Sequence, residues 1–170
     1  SEEHPPLFAD MLKTVADANP ATPLIVEIKS RTEYSKAYLT ELVRATLDTL
    51  QNYPGPYCLE SFDPRVVALV RRMAPGVLRG QLADSYKANR ESGARPLAAY
   101  ALSHLFGNFM ARPDFIAWCP APRSWAVSLC IRLGAMSVMW TALPEHDTQK
   151  LEADNDAVIF QWYAPKPQYK

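Results

Sequence analysis

Along this chain, short apolar runs alternate with longer stretches whose apolar residues recur every three or four positions, the periods of strand and helix. Leu7, Met11 and Val15 mark a first helix over 7–18. Leu39, Leu42, Val43, Leu47 and Leu50 form the buried stripe of a second over 34–50, which Asn52-Tyr53-Pro54-Gly55-Pro56 ends. Between them lies a strand at 24–28, and a strand at 57–62 (YCLESF) follows. Asp63-Pro64 then reads as an N-cap with proline at the first helical position of a helix through residue 73. Strands at 77–82, 114–118, 136–141 and 157–161 are separated by a polar loop over 83–93 with a helix at 96–110, a helix at 122–133 ended by Gly134, and a short helix near 144–151. Six strands linked through helices, without hairpin signals, predict an α/β fold with a parallel sheet and right-handed crossovers.

A doubly wound sheet and a barrel both satisfy that pattern. The dinucleotide-binding version is weakened because no GxGxxG follows the first strand, no P-loop occurs, and the chain has only 6 glycines. The segment PLIVEIKS, residues 23–30, carries the candidate chemistry: Glu27 and Lys29 share one face of the strand, while Val26 and Ile28 share the other. One reading is an edge strand with its charges in water. The other is a buried strand running into a loop, which the flanking Pro20 and Pro23 and the polar Ser30-Arg31-Thr32-Glu33 favour. Charges at the C-terminal end of such a strand mark a ligand site.

Composition narrows the functional classes. A chain of 170 residues, 48% hydrophobic and 21% charged, is expected to form a single domain, 1–170, with one substantial core. Its 18 basic and 18 acidic residues argue against a general nucleic-acid or membrane-surface binder. Arg65, Arg71 and Arg72 read as the wet side of an amphipathic helix. Cys58, Cys119 and Cys130 form no CxxC pair, so neither a disulfide framework nor a zinc site is indicated; buried apolar thiols are expected. His104, Asn108, Arg112 and similar residues interrupt every apolar stretch, so no membrane span is expected, and a soluble cytoplasmic protein is the reading.

The segments IVEIK, ESFDPRVV, LRGQL, DFIAW, WT and NDAVIF resemble, in that order, the strand series of glycerophosphodiester phosphodiesterases, and most of all their cytoplasmic bacterial branch. The resemblance covers nearly the whole chain. It implies a TIM-barrel-like (β/α) parallel barrel, incomplete here with six of the usual eight strands. It further implies hydrolysis of small-molecule glycerophosphodiesters, such as glycerophosphocholine, to an alcohol and glycerol 3-phosphate with a divalent cation. By that resemblance Glu27 is a metal ligand and Lys29 the catalytic lysine beside the phosphate; Trp140 walls the glycerol moiety at the barrel mouth, and Phe62 lines the substrate pocket. The chemistry is consistent: a carboxylate is a hard oxygen ligand for Mg²⁺ or Ca²⁺, and an ammonium neutralises phosphate oxygens. Phe62 has a rival reading as core. Glu60 and Gln81 also lie near strand ends, and Glu60 reads either as an acid behind the ligands or as a solvated loop-edge residue.

The chain departs from the family at its start. The family's His-Arg-Gly motif on the first strand, the acidic pair on the second and a further histidine have no counterpart. His4, His104 and His146 read as packed or solvated residues that do not repair the loss. A complete barrel takes about 250 residues. Six strands would leave two open edges, at PLIVEIKS and AVIFQW. Three arrangements account for this: an N-terminally shortened enzyme, a second chain supplying the first strands, or a degenerate barrel without catalysis. The first is favoured because Ser1-Glu2-Glu3 leads straight into a helix. On this reading the chain alone is inactive. The alternative is a noncatalytic interaction module that forms a homo-oligomer through its open edges. A phosphoinositide-cleaving barrel is a weaker third reading.

Overall fold

Five of the described helices start at a side-chain cap supplied by Ser35, Asp63, Ser85, Ser124 or Asp147. The structure is a computed structural model and describes residues 4–119 and 122–165. The opening Ser1-Glu2-Glu3 lies outside the described residues. In chain order the elements are α1 (Phe8–Ala18), β1 (Leu24–Glu27), α2 (Lys36–Leu50), β2 (Tyr57–Ser61) and α3 (Pro64–Met73). There follow β3 (Leu78–Ala83), α4 (Tyr86–Glu91), α5 (Pro96–Ser103), α6 (Asn108–Ala111) and β4 (Phe115–Trp118). The chain continues with α7 (Trp125–Arg132), β5 (Met136–Ala142), α8 (Thr148–Ala153) and β6 (Ala157–Phe160). Asp63 caps α3 as its sequence indicates, accepting a hydrogen bond from the Arg65 amide at 2.9 Å, with Pro64 at the first position.

The six strands pair in the order β1-β2-β3-β4-β5-β6, and every pair is parallel. A doubly wound sheet reverses its strand order at a switch point; this one never does. The result is a curled half-barrel, an incomplete TIM-like barrel with helices between its strands. Among the described residues, β1 and β6 are its edges.

The alternation of side chains divides the sheet into two faces. Leu24, Val26 and Leu59 point to the helices and join Leu39, Val43, Leu50, Val66 and Val70 in the main core. Cys58, Leu82, Phe115, Ala117, Val138, Trp140 and Ile159 form a separate apolar cluster on the concave face. A third cluster, Ala83, Leu105, Ile116 and Val127, packs α5–α7 on the convex side.

Four expectations need correction. The polar loop over 83–93 contains α4, started by the Ser85 hydroxyl accepting from the Ala88 amide; a one-and-a-half-turn helix with no buried face leaves no apolar stripe to read. The helix expected over 96–110 is two helices, because the chain turns at Leu105, whose φ is 55°. The helix expected from residue 122 begins at Trp125, where the Ser124 hydroxyl caps it. The last short helix is displaced to Thr148–Ala153, where Asp147 supplies the cap. The cysteines are half-buried and not disulfide-bonded.

Candidate active site

Parallel register sets the site. Glu27 pairs with Glu60, Glu60 with Gly80, and Gly80 with Phe115, so the two carboxylates stand side by side on the concave face at the C-terminal ends of β1 and β2. Gly80 next to them has no side chain, and the Phe115 ring fills that space: a Cβ on Gly80 would lie 2.0 Å from a ring carbon. The ring gives the carboxylates an apolar neighbour.

Glu60 is buried, 7% exposed, and its Oε2 is shielded from solvent with no hydrogen-bond partner. Burial, and secondly the charge of Glu27, push its carboxyl from an ordinary 4.5 up to about 7. The same burial, with Glu60 as the secondary cause, raises the Cys58 thiol to about 11, so it is not a nucleophile at neutral pH. Lys29 follows β1 and reaches back, its Nζ donating to Glu27 Oε2 at 2.9 Å; the Lys29 side chain is 82% exposed. Glu27 and Lys29 therefore do share a side. The ammonium stands at the site's open margin.

The loop after β1 is stitched to the end of β2. Ile28 N donates to the Glu60 carbonyl at 2.8 Å, Ser61 Oγ donates to the Ile28 carbonyl at 2.7 Å, and Ser30 Oγ donates to Asp63 Oδ2 at 2.7 Å. Arg65 grips Asp63 through Nε and Nη2 and donates onward to the Tyr34 and Arg31 carbonyls. Burial works against the Asp63 charge, yet the hydrogen bonds from Arg65 and Ser30 and the guanidinium charge hold its carboxyl below the usual range. These contacts fix where Glu27 and Lys29 stand.

Phe62 and Trp140 come from strand ends far apart in sequence and meet edge to face, ring centroids 5.5 Å apart. Trp140 Nε1 donates to the Ala117 carbonyl at 3.1 Å, which orients the indole. Phe62 is not core: it is 38% exposed. The two rings form an apolar wall over the concave face. Sequence reading left Glu60 between an acid behind the ligands and a solvated loop-edge residue; the structure buries it, and the parallel register sets it on the Glu27 face.

The histidines are engaged elsewhere. His104 stacks on Tyr100 with its Nδ1 2.9 Å from the Tyr100 carbonyl, His146 Nδ1 accepts from the Leu143 amide, and His4 is exposed. The orphaned Glu60 oxygen beside Glu27 offers hard donor atoms of the type a divalent cation takes, but such an ion needs six or more oxygens. Among the described residues no group of three or more His, Cys, Asp or Glu side chains could hold a metal. The residues present thus do not make a complete cation site.

No protein-family model and no curated protein matches the sequence. Solved structures do match the fold. A glycerophosphoryl diester phosphodiesterase from Silicibacter pomeroyi superposes with a TM-score of 0.70 at 20% identity, over 92% of this chain and 53% of that one. A glycerophosphodiester phosphodiesterase from Parabacteroides distasonis gives 0.59 at 16% identity, over 91% and 59%. An Oleispira antarctica phosphodiesterase in complex with its product sn-glycerol-3-phosphate gives 0.65 at 16% identity, over 91% and 57%. The resemblance read from the strand series holds at the level of the fold, and the chain spans little more than half the length of these structures. No described helix is long and apolar enough to cross a membrane.

Proposed function

We propose that this chain is the six-strand part of a glycerophosphodiester phosphodiesterase barrel, a phosphoric diester hydrolase of glycerol and lipid metabolism acting in the cytoplasm. The observation that carries this reading is the Glu27–Glu60 pair under the Phe62–Trp140 wall, at the strand ends where barrels of this class bind ligands. Glu27 would be one of several ligands to Mg²⁺ or Ca²⁺; the cation, when bound, would neutralise charge on the diester. Lys29 binds a phosphate oxygen, exchanging its contact with Glu27 for the substrate's charge. Phe62 and Trp140 hold the carbon skeleton of the glycerol moiety and exclude water from that side. The products would be an alcohol and glycerol 3-phosphate. His104 and His146 are engaged with the Tyr100 carbonyl and the Leu143 amide, and the family's histidine motif has no counterpart here, so the isolated chain is inactive.

The test has a binding arm and an activity arm. Titrating glycerol 3-phosphate while following the Trp140 indole N–H by NMR should give a saturable shift that Lys29→Ala weakens at least tenfold; no shift at Trp140 would sink the assignment. Release of glycerol 3-phosphate from glycerophosphocholine should be absent with either cation. Release that chelation and Glu27→Ala both abolish would disprove the inactivity.

A second reading rests on the open edges. On the edge strands β1 and β6, Ile25 and Phe160 are about half exposed. A noncatalytic module would cover them by forming a homo-oligomer or by taking strands from a partner. A monomer by light scattering at high concentration would remove that reading.

A further inference from the structure

The outward faces of α5 and α7 carry apolar stripes that stand in solvent. On α5, Leu97, Tyr100 and His104 follow helical spacing, with Leu97 81% and Tyr100 44% exposed. On α7, Trp125, Leu129 and the closing Leu133 stand four residues apart and are 59, 44 and 78% exposed. Rings join the two stripes. His104 stacks on Tyr100 with centroids 4.1 Å apart, its centroid is 6.0 Å from that of Trp125, and both Tyr100 and His104 meet Phe106 edge to face. Large apolar side chains grouped in water mark an interaction surface. This one overlies the middle of the sheet, because α5 and α6 connect β3 to β4 and α7 connects β4 to β5. It is therefore distinct from the open edges at β1 and β6.

Charge identifies what this face meets. The chain is neutral as a whole, which argues against a general membrane-surface binder, but the total hides one segment: from Ser92 to Pro144 there are four arginines, no lysine and a single acid, Asp114. Arg95 stands at the start of α5, Arg112 at the end of α6, Arg123 just before the α7 cap and Arg132 at the end of α7, so cations stand at both ends of these helices. All four are exposed, and none has an acidic partner among the described residues. A guanidinium at Arg95 or Arg123 opposes the dipole of the helix it precedes, so helix stability does not account for either. Arg123 is held at the rim over the Trp118 ring, 4.4 Å from its centroid. The neighbouring acids are engaged: Asp114 with Arg79 at 3.3 Å, Glu91 with Lys87 at 3.8 Å, and Asp84 accepting from the Ser85 amide at 2.7 Å.

We propose that this face docks the chain on an anionic lipid bilayer, its rings and leucines entering the interfacial layer while the arginines bind lipid phosphates. Trp, Tyr and Phe suit that layer because an apolar ring body fits beneath the headgroups and the Trp and Tyr polar edge stays at their level. Each arginine close to an anionic surface strengthens binding by about fivefold. A second copy fits the face less well, since an isologous contact sets these arginines against their own counterparts with no free acid between them. The proposal is independent of the phosphodiesterase reading: Glu27 and Trp140 lie on other elements.

The experiment floats the full chain with phosphatidylcholine vesicles containing about one third phosphatidylserine, and with phosphatidylcholine alone. Binding to the mixed vesicles should exceed binding to the neutral ones by about tenfold and should fall by a similar factor at about 1 M salt, where the Debye length is about 3 Å. Trp125→Ser with Leu129→Ser should weaken it about tenfold at an unchanged unfolding midpoint, both side chains lying outside the core. Arg95→Ala with Arg132→Ala should weaken it about twentyfold. Lys36→Ala with Arg44→Ala, on α2, should change it less than about twofold. If the Trp125 and Leu129 pair lowers the midpoint, Leu97→Ser with Leu133→Ser tests the same face. No binding to the mixed vesicles, or binding that either the apolar or the arginine pair leaves intact, overturns the proposal. So does a dimer in light scattering that the apolar pair dissolves, which would give the face to a second copy. The Trp140 response to glycerol 3-phosphate is unaffected by any of these outcomes.

Discussion

The two halves of this molecule are built differently, though both repeat the same strand-and-helix unit. From α1 to α3 the helices run 10 to 15 residues and pack one continuous core in which Leu39, Val43, Leu50, Leu59, Val66 and Val70 are at most 1% exposed. From α4 to α8 no helix exceeds 8 residues, the apolar residues divide between two small clusters, and Leu97, Phe109, Leu133 and Trp125 are 81, 75, 78 and 59% exposed. Long amphipathic helices gain stability from the buried stripe, whereas short ones lean on caps and on the sheet. The carboxylates of the candidate site stand on the firm half and Trp140 on the loose one. The site thus draws its carboxylates and Phe62 from the half with the continuous core and Trp140, oriented by its indole hydrogen bond, from the other.

Matched core truncations should separate the halves most strongly. Leu50→Ala, at 0% exposure in the continuous core, is expected to cost about 4 kcal/mol, and Leu82→Ala, beside the open concave face, about 2 kcal/mol. Urea unfolding measures both. Equal costs would break the comparison.

The next effect is a pH dependence confined to the firm half. Glu60 ionises near 4.5 in the unfolded chain and at about 7 when folded. Below pH 4.5 both states are protonated and the group carries no penalty. Between these values only the unfolded state gives up its proton, so stability falls as pH rises through about 7 and then levels off. Discounted for water at the open face, the loss is on the order of 2 kcal/mol. Glu60→Gln should flatten that part of the profile and raise stability at pH 8; an unchanged slope would remove Glu60 as its origin.

Capping should show the same asymmetry on a smaller scale. Asp63 caps α3 while binding Ser30 and Arg65, so Asp63→Ala should cost about 2 kcal/mol; Ser124 only caps α7, and Ser124→Ala should cost about 1 kcal/mol. The smallest effect belongs to Lys29. Its ion pair with Glu27 is exposed, so Lys29→Ala should change stability by no more than about 0.5 kcal/mol. A loss above about 1 kcal/mol would assign Lys29 to structure rather than to ligand binding.

Glu27 was legible because an acid inside PLIVEIKS breaks an apolar run, and α3 because Asp63-Pro64 states its own start. Glu60 was not, since its meaning depends on a neighbour 33 positions away that only the parallel register brings beside it. The break after α5 was hidden for a related reason: apolar spacing continues through Leu105, but its positive φ and the contact of Gly107 with Pro64 come from packing. Phe62 and Trp140 were each singled out from the sequence, but their edge-to-face meeting belongs to the curled sheet.

By itself the sequence determined the six strands, most of the long helices between them and the parallel class of the sheet, because periodicity, caps and proline act over one or two turns of chain. The tertiary structure decided that the strand order runs unbroken from β1 to β6, that Glu27 faces Glu60, and that the stripes of α5 and α7 join at His104 and Trp125. Those are encounters between distant segments. Their geometry is fixed by the curvature of the whole sheet and the close packing of helices upon it, which no local pattern encodes.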